Sequence, residues 1–118
     1  MHSLTPDVVR SLQMADTDER LAALERFAVA TFPTAHEEIW RYSRIGELNL
    51  DAYRLGTLTT TITGADSIPS HDAADVTGTV LDLFEDLNRA FMSPICLRIP
   101  AGVVHPEPIV ITHTLLTD

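Results

Sequence analysis

The chain has 118 residues, 45% of them hydrophobic and 21% charged, which suits one modest globular domain and excludes both two full-sized domains and a disordered tail. Eight Arg and no Lys stand against seventeen acidic residues, a net charge of −9, and that balance excludes a nucleic-acid or anionic-membrane binder, because both need clustered cations. No apolar run approaches the ~20 residues of a membrane span. Residues 1–15 carry Asp7 and Arg10 and do not read as a secretory leader. The lone Cys96 excludes an internal disulfide and a Cys-based zinc cage. The expected compartment is the cytoplasm.

In chain order, Leu4-Thr5-Pro6-Asp7 predicts a helix start: Thr5 can cap, Pro6 suits the first helical position and Asp7 faces the positive end of the dipole. Leu4 and Val9 have the spacing of a hydrophobic staple, and the helix should end near Met14. A second helix is expected after Asp16, with Glu19 at capping-box spacing. Its apolar stripe is Leu21, Leu24, Phe27, Ala28 and Phe32, and Pro33 stops it. Thr34 and Glu37 form another capping box, opening a helix that carries Ile39, Trp40 and Tyr42 and breaks at Gly46. Leu48, Leu50, Tyr53 and Leu55 follow as a short apolar stretch.

Residues 58–63 read Leu-Thr-Thr-Thr-Ile-Thr, a strand by β-propensity. Residues 64–79 hold Gly64, Pro69 and Gly78 among Ser, Thr and Asp, and read as a loop. Helical spacing returns with Val80, Leu81, Phe84, Leu87, Asn88 and Phe91, capped by Thr77 or Thr79 and closed by Pro94. Ile95, Leu97 and Ile99 then alternate with Cys96 and Arg98 as a period-two strand. Pro100-Ala101-Gly102 is a turn, Val103-Val104 a short strand, Pro106-Glu107-Pro108 a corner, and residues 109–116 another strand. Short strands separated by tight corners, with no hairpin signal, point to a solenoid. The expected organisation is a helical region over 1–56, a strand and loop connector over 57–79, and a capping helix with the start of the solenoid over 80–118.

No catalytic constellation emerges. The five His, at positions 2, 36, 71, 105 and 113, include no i, i+4 pair, and His36-Glu37-Glu38-Ile39-Trp40 is not a zinc-protease helix. Cys96 has no flanking activator beyond Arg98, and an enzyme built on it with His105 or His113 lacks any supporting motif. Asp82, Glu85 and Asp86 read as a solvated helix face rather than paired catalytic carboxylates. Without Lys there is no phosphate-binding loop. Trp40 with Tyr42 is the densest aromatic feature, better suited to packing or an interface than to a ligand site.

Two stretches resemble the SufD family, scaffold components of the SUF machinery that assembles iron–sulfur clusters. Phe32-Pro33-Thr34-Ala35-His36-Glu37-Glu38-Ile39-Trp40-Arg41-Tyr42-Ser43 is similar to the family's P-T-x-x-x-E-x-W-R-Y-T segment. Phe84-Glu85-Asp86-Leu87-Asn88-Arg89-Ala90-Phe91 resembles its F-x-x-L-N-x-A-F helix. Leu97 to Val104, with Glu107 to Ile111, resembles its I-x-V-P-x-G-V-x-x-x-x-P-I-x-I entry into a β-helix. The likeness covers roughly residues 32–55 and 80–116.

The resemblance implies an α+β chain: an N-terminal helical region, then a helix and the first strands of a right-handed parallel β-helix, cut soon after it begins. It implies a non-catalytic scaffold with SufB-like and SufC-like partners, beside the absence of nucleic-acid or membrane contact expected from the charge balance. It also implies that no cofactor is held by this chain alone, an iron–sulfur cluster arising only in the full complex. On this reading Trp40 and Tyr42 anchor the helical part. Phe84, Leu87 and Phe91 cap the first coil, and Ile99, Val103, Ile109 and Ile111 begin the solenoid core. The alternative expectation is a stand-alone interaction module that pairs with itself, as a homo-oligomer, or with a partner through an open β edge.

Overall fold

A computed structural model describes residues 4–68, 80 and 82–116. The chain forms two units, one from residues 1–55 and 80–93, the other from residues 56–79 and 94–118. The expected segment 80–118 is therefore divided: its helix belongs with the N-terminal helices.

The first unit is helical. Helix α1 (Pro6–Ser11) is capped as its sequence dictates, the Thr5 hydroxyl accepting the Val8 N–H at 3.4 Å with Pro6 in the first turn. It stops short of Met14, where Gln13 takes a left-handed φ of 53°. Val9 is fully buried and Leu4 packs against the same core.

Helix α2 (Thr17–Val29) departs from its expected cap. Asp16 makes no side-chain bond to the helix amides. Its carboxylate instead accepts the Arg20 Nε–H at 2.7 Å. The buried stripe is Arg20, Ala23 and Leu24, flanked by Leu21 and Phe27, while Ala28 and Phe32 are exposed.

The helix expected after Thr34 does not form. The Thr34 N–H does donate to Glu37 Oε1 at 3.2 Å, but only three single 3-10 turns follow, Glu38–Trp40, Ile45–Glu47 and Leu50–Ala52. Ile39 and Tyr42 are 87% and 89% exposed. With Trp40 the only one of its three large apolar residues to find cover, a helix here lacks the tertiary packing that would stabilise it in water.

Helix α3 (Leu83–Phe91) is capped by Asp82, whose carboxylate accepts the Phe84 and Glu85 N–H groups at 2.9 and 3.2 Å. The expected caps, Thr77 and Thr79, lie outside the described residues. Ala90 and Phe91 join Val9, Ala23 and Leu24 in one apolar cluster. Two polar contacts lock α3 to α2. Arg26 donates from Nη2 and Nε to Asp86 Oδ1 at 2.7 and 3.0 Å. The buried Arg20 donates from Nη1 to the Met92 carbonyl at 3.1 Å, satisfying an acceptor at the negative end of the α3 dipole.

The second unit carries a two-stranded antiparallel sheet. Strand β1 (Thr57–Thr63) pairs with β2 (Val110–Leu116), in a register running from Thr57 opposite Leu116 to Thr63 opposite Val110. This overturns the expected parallel β-helix. Between α3 and β2 there is only an isolated bridge at Leu97, and Ile99, Val103 and Val104 are 44%, 54% and 90% exposed. A parallel coil must turn such side chains into a shared core and stack repeat on repeat. Here they face solvent, and β2 finds its hydrogen bonds on the Thr-rich β1.

The turns of this unit follow their sequences. Pro100–Val103 closes with the Val103 N–H donating to the Pro100 carbonyl at 3.2 Å, Gly102 supplying φ +79° at the third position of a type II turn. At the end of β1, Gly64 also has φ +79°, and a Cβ there would lie 2.2 Å from the Pro108 carbonyl oxygen. His105 Nε2 donates to the Gly64 carbonyl. Because a carbonyl only accepts, this bond fixes the proton on Nε2. Among the described residues no helix is long and apolar enough to cross a membrane.

Candidate functional site

The second unit's sheet is exposed along the whole length of both strands. Side chains alternate across a strand, and directly opposed residues share a face. One face therefore carries Leu58 opposite Leu115, Thr60 opposite His113, and Ile62 opposite Ile111. At its centre Thr60 Oγ1 and His113 Nδ1 share a hydrogen bond of 2.9 Å. The other face carries Thr57, Thr59, Thr61 and Thr63 of β1 against Leu116, Thr114, Thr112 and Val110 of β2. Every residue of both strands is exposed. Neither strand contains a formally charged residue apart from the titratable His113, although the chain as a whole carries −9. An isolated pair of strands is marginally stable in water. A neutral sheet exposed on both faces is chemically a surface for further strands or for another apolar layer.

The residues singled out from sequence fall into both units. Phe91 is 8% exposed in the helical core, and Leu87 is half-buried against it. Phe84 is half-buried and collects two aromatic neighbours edge-on, Phe32 with ring centroids 5.7 Å apart and Trp40 at 5.5 Å. Tyr42 is 89% exposed and its ring lies under Arg41, 5.5 Å away, so its contact is a surface cation–π pair rather than an anchor. Ile111 lies on the apolar face of β2, Ile109 is half-buried just before it, and Ile99 and Val103 are exposed without a strand.

Sequence reasoning passed over the pairing of β1 with β2, and with it Leu58, Thr60, Ile62, His113 and Leu115 as one surface. The available signal is a pair of seven-residue runs without acidic or arginine side chains, each rich in β-branched residues. The sequence pattern of Asp82, Glu85 and Asp86 is that of a solvated face, whereas Asp82 is the cap and Asp86 is buried on Arg26. Among the described residues no three His, Cys, Asp or Glu side chains converge as a metal-binding group, and Cys96 is half-buried. Asp16 is held below the usual aspartate value chiefly by the hydrogen bond from Arg20, with burial opposing. Compared with protein-family models, curated proteins and solved structures, the chain matches none.

Proposed function

We propose that the chain is a SufD-like, non-catalytic scaffold, corresponding to the N-terminal portion of such a subunit, and that it works by protein–protein contact. The observation that carries the contact role is the neutral two-stranded sheet exposed on both faces. Such a sheet is completed by association, because backbone edges and apolar faces left in water favour added strands. The link to iron–sulfur assembly rests on the ordered motifs. It draws support from one packing fact: Phe32 and Trp40 of the first motif and Phe84 of the second meet in a single aromatic cluster. The motif residues are thus those that join distant parts of the helical unit.

The expected partners are SufB-like and SufC-like subunits. Co-expression of the three chains and affinity capture on this one should retain a SufB-like or SufC-like subunit, and recovery of neither refutes the assembly role. The chain alone should build no cluster. Anaerobic reconstitution with iron and sulfide that yields a stable visible chromophore on this chain refutes the non-catalytic assignment. The open sheet edge also favours a second reading, a stand-alone module that self-associates; a chain that self-associates in native mass measurement and captures neither subunit supports it over the scaffold.

A further inference from the structure

The geometry of β1 points to a second copy of this chain as the occupant of its outer edge. This inference deepens the reading of the sheet as an interaction surface and rests on it. Strand β1 reads Thr57-Leu58-Thr59-Thr60-Thr61-Ile62-Thr63, a sequence that repeats itself chemically when reversed about Thr60. Laid antiparallel on a second β1 across a two-fold axis at Thr60, Thr57 meets Thr63, Leu58 meets Ile62, Thr59 meets Thr61, and Thr60 meets itself. Shifting by one residue sets each apolar side chain against a threonine. Shifting further shortens the ladder. The centred register alone keeps all seven pairs and matches apolar with apolar, as an isologous two-fold interface requires.

Charge selects the same place. Two chains of net −9 repel wherever their acidic residues face each other. Strand β1 carries no charge and no proline, the devices by which natural edges refuse partners. Its only paired strand among the described residues is β2. The reversed sequence of β2 also matches itself, but about His113. Pairing β2 with β2 would set two imidazoles opposite each other. The product expected is therefore a four-stranded sheet in the order β2–β1–β1–β2. A seven-residue edge covers far less than the ~800 Å² per partner of a standard stable complex, so the dimer is reversible and concentration-dependent.

The test uses the full chain in a Cys96→Ser background. Across an antiparallel pair, opposed Cα atoms lie about 4.5–5.5 Å apart, within disulfide range. Thr60→Cys should cross-link with itself under mild oxidation at least ~10-fold faster than Leu58→Cys, Ile62→Cys or His113→Cys. Mixing the Leu58→Cys and Ile62→Cys chains should restore fast cross-linking, about 10-fold above either alone. Equal rates at all four positions, or fastest cross-linking at His113→Cys, overturn the register.

Sedimentation equilibrium supplies the second arm. Thr59→Lys/Thr61→Lys and Thr59→Glu/Thr61→Glu chains should each be monomeric where the parent dimerises, and their mixture should recover the dimer. The control Thr112→Lys/Thr114→Lys places the same charges on the same face of β2 and should leave the dimer intact. A parent chain that is monomeric at every attainable concentration, or loss of the dimer in the β2 control, overturns the inference. A monomer that still captures a SufB-like subunit removes this inference alone. A dimer that captures neither subunit removes the scaffold reading alone.

Discussion

Phe91 is the largest side chain in the buried helical cluster, 8% exposed and packed with Val9, Ala23, Leu24 and Ala90. Replacing it with Ala forfeits about 2–3 kcal/mol of transfer free energy for the ring. The hole left behind adds to this, since an unrelaxed void of roughly 50 Å³ costs about 1 kcal/mol at ~24 cal/mol per Å³. The expected loss is about 3–4 kcal/mol, within the usual Phe→Ala range. Urea unfolding followed by helical circular dichroism reads this unit selectively, because α1, α2 and α3 all belong to it. At an m-value of about 1.5 kcal/mol/M the midpoint should fall by about 2 M. Tyr42→Ala is the internal control: at 89% exposure it should move stability by no more than about 0.5 kcal/mol. A Phe91→Ala loss under about 0.5 kcal/mol refutes this packing.

Asp82→Ala removes the acceptor for the Phe84 and Glu85 amides and should cost about 1 kcal/mol in the same assay, with Asp82→Ser largely neutral; identical losses for both variants would show that the cap is not the cause. Gly64→Ala drives a methyl group into the Pro108 carbonyl at a left-handed φ, at a cost of about 3 kcal/mol. That suffices to unfold a two-stranded sheet, so amide-exchange protection over β1 should vanish while that of α2 persists, and unchanged β1 protection contradicts the turn geometry. Asp16 is held below its ordinary value of 3.8, chiefly by the Arg20 hydrogen bond. Its stabilisation is complete above that value and is lost as pH falls through the lower folded one. The urea midpoint of Asp16→Asn should therefore fall less than the parent's between about pH 5 and pH 3, and parallel falls would show that the pair does not contribute.

Local chemistry was legible in the sequence and distant pairing was not. Thr5-Pro6 announced α1, the Thr-rich run announced β1, and Phe84, Leu87 and Phe91 marked α3 at helical spacing, because each signal lies within one or two turns of chain. Arg20 gave no sign of burial. What permits it is Asp16 one turn earlier together with the Met92 carbonyl, 72 residues away in sequence. Asp86 looks solvated in sequence for the same reason, since Arg26 lies on another helix. The alternation of Ile95, Leu97 and Ile99 suggested a coil of a β-helix, but alternation only shows that an extended segment has two sides. Whether either side is covered depends on partners, and β2 found its partner in β1.

The strand pairing also sets an order of events during folding. Thr63 and Val110, the closest-spaced partners in sequence, are separated by residues 64–109. Closing so long a loop, about 46 residues, costs roughly 3.4 kcal/mol beyond a constant before any ladder bond forms. Helix α3 sits in the middle of that loop. Once it docks on α2 through Phe91 and the Arg26–Asp86 pair, the free chain is reduced to two arms of about 18 residues each. The sheet should therefore mature after the helices, at a rate set by their assembly. During that interval β1, uncharged and with a backbone unpaired on both sides, is open to other nascent chains as well as to β2.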